Sequence, residues 1–244
     1  QLQYWKTQLS GIPDYIPLPT DRPYPEMPSY QGGFYEFYLS KEVLQNLKKI
    51  SQKRSCSLYM TLLSVFSILL YRYSKLQDIV IGSPVANRTG QHFENLIGLF
   101  LNTVALRLTL SDTLSFDSLL EQTKEVVLSA YKNQNIPFEQ LIEILSLKRD
   151  LQRNPIFNVW FAHHNNEGDT QLNMEGLTTQ YISPKRITSK FDLTLETQER
   201  SGGLHLSFEY STDMFEEKTI QKTAQKIIKI FINVGKNPHN TIGA

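Results

Sequence analysis

Apolar residues recur along the chain with two periods, one typical of helices and one typical of strands. Leu44, Leu47 and Ile50 follow one another at intervals of three, and Ser40 precedes them as a residue type that caps helix starts. This pattern predicts a helix directly after Ser40. Further helices are predicted over residues 2–9, 58–73, 115–132, 137–147 and 216–234.

Aromatic and β-branched runs between these helices predict β-strands. Residues 79–81 (Ile, Val, Ile) are typical of a strand that is buried on both faces. Because strands and helices alternate without internal repeats, we expect an α/β fold with a mixed β-sheet covered by helices. Strands are predicted over residues 34–38, 79–81, 96–110 (99–106 within the sheet), 157–162, 192–198 and 203–210, with a turn at Gly202 and Gly203 and polar loops over 83–94 and 163–172.

Prolines recur throughout residues 11–29, where they prevent regular secondary structure. This part of the chain is predicted to be an extended connector.

Charge and composition exclude several classes of protein. The 25 basic and 24 acidic residues nearly cancel, so the chain lacks the electrostatic attraction that nucleic-acid binders use. Thr61, Ser64 and Arg72 interrupt the apolar segment 58–73, which predicts a core helix and no membrane span. Cys56 is the single cysteine, so an intrachain disulfide is excluded. A single cysteine fits a cytoplasmic protein. We expect Cys56 to be an ordinary thiol on a helix.

One strongly polar residue, Asn102, lies within the apolar segment LIGLFLNTVALRL, residues 96–108. Burying an amide costs free energy unless the amide finds hydrogen-bond partners, so this residue is expected to have a specific role. From the residues alone, the favoured explanation is an amide that pins neighbouring backbone at a strand end.

Two adjacent histidines, His163 and His164, are candidates for a metal site. Adjacent side chains on an extended segment point to opposite faces, and only Glu167 and Asp169 lie nearby in the sequence as further ligands. We therefore expect no metal site. The sequence also lacks a phosphate-binding loop and a Ser, His and Asp arrangement for nucleophilic catalysis.

Three segments occur in the order and at the spacing found in a known family: LIGLFLNTVALRL at 96–108, NQNIPFEQL at 133–141 and RDLQRNPIFNVWF at 149–161. Other segments of the chain also match sequences of this family: LPTDRPYPEMPSYQG, DIVIGSPVANR and FEYSTDMFEEKTI. Through these segments the chain resembles the condensation domains of nonribosomal peptide synthetases, specifically their C-terminal lobe.

The second segment matches the family pattern (H/N)QDxPFE at Asn135, Pro137, Phe138 and Glu139, with Asn135 in the place of the aspartate. We interpret it as a helix start, because proline presets φ for the first turn and a glutamate there complements the helix dipole.

The third segment matches the pattern RDxSRNPL, with Gln152 in the place of the serine. Proline favours an extended conformation for the residue before it, and the arginine and aspartate can form an ion pair. We interpret this segment as architecture as well. The matching residues are Arg149, Asp150, Arg153, Asn154 and Pro155.

HHNNEGD at residues 163–169 superficially resembles the family's HHxxxDG motif, whose second histidine is central to the reaction. Here Gly168 precedes Asp169, and the family's motif belongs to the N-terminal lobe. His163 and His164 are therefore interpreted as solvated loop residues.

The resemblance implies a chloramphenicol acetyltransferase-like fold, in which two lobes form a V around a tunnel. Donor and acceptor peptidyl carrier domains deliver thioesters on phosphopantetheine arms, and the acceptor amine attacks the donor thioester. No cofactor is bound directly by the lobe. Asn102 matches an asparagine that faces this channel, so the resemblance favours a supporting catalytic role over backbone pinning.

The resemblance also predicts how the chain is divided. Residues 1–33 are expected to be an extended Pro-rich connector from the missing N-terminal lobe, and residues 34–244 the C-terminal lobe of the condensation domain. A floor loop is expected near residues 83–95. The expected partners are the N-terminal lobe, the two carrier domains and an adjacent adenylation domain.

Since the HHxxxDG lobe is missing, the isolated chain is expected to be inactive and to expose an apolar face. The segment LFLNT favours a peptide-bond-forming subtype over epimerising or heterocyclising relatives. The alternatives are a noncatalytic carrier-docking module and a free-standing acyl-CoA-dependent acyltransferase subunit.

Overall fold

The structure is a computed structural model that describes residues 1–88, 90, 93, 95–145, 153–164, 176–177, 187–200 and 202–243. Its helices are α1 (Leu2–Gln8), α2 (Lys41–Lys53), α3 (Leu58–Ser74), α4 (Phe116–Lys132), α5 (Phe138–Ile144) and α6 (Glu217–Lys236). Its strands are β1 (Gly32–Ser40), β2 (Asp78–Val85), β3 (Asn102–Thr109), β4 (Val159–His164), β5 (Leu193–Arg200) and β6 (Gly203–Ser211).

The strands form one six-stranded sheet in the order β1-β6-β5-β4-β2-β3. The pairs β2/β4 and β4/β5 are parallel, while β1/β6, β5/β6 and β2/β3 are antiparallel. This arrangement confirms the predicted α/β fold with a mixed sheet. Strands β2, β4 and β5 run the same way, so their carboxyl ends meet at one edge of the sheet, which we call the carboxyl edge.

One face of the sheet, here called the apolar face, packs against α2, α3, α4 and α6. Its central row joins Tyr35, Phe208, Leu195 and Phe161 across four neighbouring strands. Three of these four side chains are fully buried, and Tyr35 is partly buried. Burial of such a row supplies most of the free energy that holds the helices on the sheet.

Helix α3 is the centre of the core, as its apolar composition predicts. Every residue from Met60 to Tyr71 is buried, including its serine and threonine residues. The Ser64 and Thr123 hydroxyl groups are 2.8 Å apart and join α3 to α4, so these buried polar groups are hydrogen-bonded. Serine side chains cap α2, α3 and α4 at Ser40, Ser57 and Ser115, and the predicted cap at Ser40 is confirmed.

The proline-rich segment 11–29 has no regular secondary structure, as predicted, and it follows a fixed path along the sheet. Ile16 is buried, and the Asn158 side chain satisfies its backbone by donating to its carbonyl and accepting from its N–H, both at 2.9 Å. The Arg153 guanidinium stacks on the rings of Tyr15 (3.5 Å) and Tyr24 (4.3 Å). Residues 1–33 thus pack on the same core as the rest of the chain.

Several predicted boundaries are wrong. Residues 99–101 do not belong to the sheet, because β3 begins only at Asn102. The predicted loop 83–94 begins too early, since β2 continues to Val85 and pairs with β3 over its whole length. Strand β4 starts at Val159 and extends to His164. Cys56 lies in the connection between α2 and α3 and not on a helix.

Helix α5 ends at Ile144, and residues 146–147 of the predicted helix lie outside the described residues.

In the part of the chain that the structure describes, no single helix is long and apolar enough to cross a membrane. Helices α2 and α3 meet the length and composition criteria only as a pair, bent by 108°.

We predict that Gly82→Ala destabilises the fold. A Cβ atom at Gly82 would lie 2.2 Å from Cε2 of Phe157, whose ring is buried. Overpacking of this kind costs about 1–3 kcal/mol, measurable by chemical denaturation. Gly202→Ala is the control, because nothing lies within 4 Å of the added Cβ there. Equal unfolding free energies for the two variants would contradict this packing.

Candidate functional site

Asn102 is the first residue of β3 and lies at the carboxyl edge of the sheet. It pairs with Val85, the last residue of β2. The turn between α4 and α5, residues 133–137, approaches it from the helical side. The residue is partly buried, so its polar side chain is only partly open to solvent.

The Asn102 amide is committed to three backbone groups. Its Nδ2 donates to the carbonyls of Gln134 and Ile136, both at 2.7 Å, and its Oδ1 accepts from the Thr103 N–H at 2.8 Å. Both N–H donors of the side chain are therefore used to hold the turn, as in the backbone-pinning explanation. The oxygen retains acceptor capacity, since an amide oxygen has two lone pairs. A supporting role in the channel remains a prediction.

The turn that Asn102 holds is the second matched segment. Pro137 precedes α5, which begins at Phe138, so the predicted helix start is confirmed. The Phe138 ring packs on Phe157 with 5.3 Å between centroids, whereas Asn135 and Glu139 are exposed. From the other side, the Trp5 indole donates to the Asn133 carbonyl at 2.9 Å. Contacts from α1, β3 and the segment before β4 thus fix this turn.

Arg153 and Asn154 precede β4 and therefore lie at the opposite edge of the sheet from Asn102. Asn154 Nδ2 donates to the Lys190 carbonyl at 2.7 Å, and Arg153 stacks on two tyrosines of the connector. These contacts support the interpretation of the segment as architecture. Arg149 and Asp150 lie outside the described residues.

Asp192 is a buried carboxyl group that the sequence reasoning missed. Its oxygens accept hydrogen bonds from the Tyr24 hydroxyl at 2.9 Å and from Asn158 Nδ2 at 2.7 Å. Burial raises the pKa of Asp192, and the hydrogen bonds from Asn158 and Tyr24 oppose this rise. Because Tyr24 belongs to the connector, Asp192 attaches the connector to the start of β5.

The interpretation of His163 and His164 as loop residues is wrong, because both belong to β4. The Nδ1 atom of His163 lies 2.9 Å from the Thr197 hydroxyl, and the residue is partly buried. Burial lowers the pKa of His163, against the opposing effect of the Glu199 carboxylate. His164 points to the opposite face and is exposed.

Within the described residues, nowhere do three or more His, Cys, Asp or Glu side chains come together as metal ligands.

A second polar pair lies on the apolar face between Asn102 and His163. The Ser83 hydroxyl donates to the Phe161 carbonyl at 2.8 Å and lies 2.7 Å from the Tyr59 hydroxyl, from which it can accept. Burial raises the pKa of Tyr59, so the phenol stays protonated. Sequence spacing gave no signal for this pair, because Ser83 and Tyr59 come from different elements, β2 and α3.

A profile of the condensation-domain family matches residues 1–244. The chain belongs to the condensation domains of nonribosomal peptide synthetases. It is 42% identical over 245 residues to one of the linear gramicidin synthase proteins of Brevibacillus parabrevis, in an alignment that covers 100% of this chain and 3% of that protein. With bacitracin synthase 3 of Bacillus licheniformis it shares 36% identity over 98% of the chain and 4% of the relative. The chain thus spans a small part of these relatives' length.

Solved structures agree with this family. The structure of holo-AB3403, a four-domain nonribosomal peptide synthetase bound to AMP and glycine, superposes with a TM-score of 0.89 at 25% identity, covering 99% of this chain and 20% of that one. Two further structures share the fold: the X-domain from teicoplanin biosynthesis (TM-score 0.90, 23% identity, 99% and 55% covered) and the condensation domain of the monacolin K polyketide synthase MokA (0.85, 20%, 99% and 58%). The chain therefore corresponds to about half of these last two chains.

We predict that Asn102→Ala lowers the free energy of unfolding by about 1–3 kcal/mol, because the Gln134 and Ile136 carbonyls lose their donor. Denaturant titration of the variant and of Asn135→Ala checks this. Asn135 is the matched control, an exposed asparagine in the same turn. If both variants unfold like the wild type, the two hydrogen bonds do not support the turn.

Proposed function

We propose that this chain is the C-terminal lobe of a condensation domain that joins carrier-bound aminoacyl or peptidyl thioesters. The observation that carries the proposal is the condensation-domain family match over residues 1–244. The chain shares its fold with only 58% of the MokA condensation domain and 55% of the teicoplanin X-domain, which supports a single lobe. The family's three C-terminal motifs occur here in order. Residues 1–33 are then the connector that arrives from the N-terminal lobe.

In this reaction the acceptor amine attacks the thioester carbonyl. A C–N bond forms, the C–S bond breaks, the thiolate of the donor's phosphopantetheine arm leaves, and the amine loses a proton. The Asn102 amide does not titrate near neutrality, so it cannot carry that proton. We propose that Asn102 has a positioning role. Its side chain donates hydrogen bonds to the Gln134 and Ile136 carbonyls and so holds the turn that forms one wall of the channel.

The proposed partners follow from this role. The N-terminal lobe supplies the HHxxxDG histidine, and donor and acceptor carrier domains present the thioesters from the two ends of the channel. An adenylation domain adjoins the lobe in the parent synthetase. Phosphopantetheine belongs to the carriers as part of the substrates, and it is not a cofactor resident in this lobe.

The test of the proposal uses the two-lobed domain of the parent synthetase with loaded donor and acceptor carriers. Mass spectrometry of the acceptor carrier should show the extended amide product, and a variant lacking the second HHxxxDG histidine should show much less. Absence of product with the intact domain, together with carrier binding, would favour a noncatalytic carrier-docking module. Product formed from acyl-CoA in place of the donor carrier would favour an acyltransferase subunit.

We predict that the isolated 244-residue chain forms no amide with the same loaded carriers, because an amide side chain cannot replace the missing histidine. The same mass-spectrometric assay measures this. The two-lobed domain at equal concentration is the positive control. Comparable turnover by the isolated chain would show that a single lobe holds the complete catalytic machinery.

Residues 96–101 form an apolar segment that the lobe leaves exposed beside Asn102. Leu99 is 88% exposed and Leu101 66% exposed. Arg88 holds the segment's start, since its guanidinium donates to the Leu96 carbonyl at 2.9 Å and stacks on Phe100 at 4.3 Å. An exposed apolar segment of this kind is typical of a surface that another part of the protein covers.

We predict that the isolated chain associates at high concentration through this segment. Leu99→Lys and Leu101→Lys should lower the association measured by light scattering, because a charge on a buried apolar contact is costly. Met27→Lys is the control, since Met27 is 84% exposed on the connector. A wild-type chain that stays monomeric at all concentrations would contradict the proposal that another part of the protein covers residues 96–101.

A further inference from the structure

His163 faces the same side of the sheet as Asn102. Gly82 of β2 pairs with Trp160 of β4, and continuing this parallel register places Val85 beside His163. Since Val85 pairs with Asn102, the two polar residues are separated by a single strand. Two strand spacings correspond to about 10 Å between their Cα atoms. Both residues lie at the carboxyl edge, on the apolar face.

The hydrogen bonds around His163 are compatible with a tautomer that carries the proton on Nδ1. The Thr197 hydroxyl donates to the Ala162 carbonyl at 3.3 Å, so its oxygen is free to accept from Nδ1–H of His163 at 2.9 Å. This tautomer leaves a lone pair on Nε2. Among the described residues, the side-chain hydrogen bond of the ring is made by Nδ1, and the Thr197 backbone is its other hydrogen-bonding neighbour.

Burial, more than the surrounding charges, lowers the pKa of His163 and so favours the neutral imidazole near pH 7. The Glu199 carboxylate and the Thr197 backbone raise the pKa of His163, whereas His164 and Lys48 lower it further. Lys48 and Glu199 form an ion pair at 2.5 Å, which limits the net effect of both charges. A neutral imidazole that carries its proton on Nδ1 is a hydrogen-bond acceptor at Nε2.

We propose that Nε2 of His163 accepts a hydrogen bond from an N–H group of the carrier-tethered substrate, which makes His163 a substrate-binding residue of the channel beside Asn102. The inference rests on the proposed function. Such substrates carry N–H groups on the amino acid and on the pantetheine arm. Proton abstraction is not part of the proposal, because an α-ammonium group with a pKa near 8 would not give its proton to so weak a base.

The experiment measures dissociation constants on the two-lobed domain by calorimetry. The probes are stable aminopantetheine amides, one carrying an N-acylated amino acid of the donor type and one a free amino acid of the acceptor type. Each probe is compared with a counterpart in which its N–H groups are N-methylated. The proteins are the wild type, His163→Leu and the control His164→Leu, which alters the neighbouring exposed histidine on the opposite face. Thermal melts confirm that the variants are folded.

We expect His163→Leu to weaken at least one N–H probe about tenfold, as the loss of one hydrogen bond predicts, while the N-methylated counterpart binds variant and wild type alike. His164→Leu should bind like the wild type. Unchanged binding of both probes to His163→Leu, or an equal loss with the N-methylated forms or with His164→Leu, would overturn the proposal.

Nitrogen chemical shifts of His163 in the wild-type domain provide a test that needs no variant. The probe should shift Nε2 and leave Nδ1–H in place; an unshifted Nε2 in the saturated complex would overturn the proposal. Turnover is measured in parallel with natural thioesters. A wild-type domain that binds the probes but forms no amide contradicts the proposed function, while the dissociation constants still decide the role of His163.

Discussion

The parallel contact between β2 and β4 joins the two parts of the sheet, and the positions of the polar residues at the carboxyl edge depend on it. Gly82 pairs with Trp160 there, and the missing side chain of the glycine leaves room for the ring of Phe157. The Ser83 hydroxyl supports the same contact by donating to the Phe161 carbonyl. A shift of one residue at this contact would turn His163 to the other face and separate it from Asn102.

The carboxyl ends and the amino ends of the parallel strands carry different sets of polar contacts. At the carboxyl edge, Asn102 of β3 holds the turn between α4 and α5, and partly buried His163 lies on β4, with β2 between them. At the opposite edge, Arg153 and Asp192 fix the connector through Tyr24. The polar residues of the third segment therefore hold the connector, whereas the proposed channel residues lie at the carboxyl edge.

Local patterns predicted those parts of the fold that local physics determines. The buried helix α3 and the Ser40 cap follow from composition and from hydrogen-bonding chemistry within a few residues. The prediction that residues 99–101 lie within the sheet is wrong, because the sequence of an apolar run does not show whether the run lies in the sheet or on the surface. The side of the sheet that His163 faces depends on the pairing of β2, β4 and β5, which lie far apart in the sequence. No local spacing contains that information.

The central claim is that the reaction channel passes the carboxyl edge of this sheet. Its most direct test is a structure of the two-lobed domain with a stable acyl-aminopantetheine amide bound. We predict that the amide replacing the thioester lies at the edge formed by Asn102, His163 and the turn 133–137. An amide bound at the opposite edge, beside Arg153 and Asp192, would contradict it.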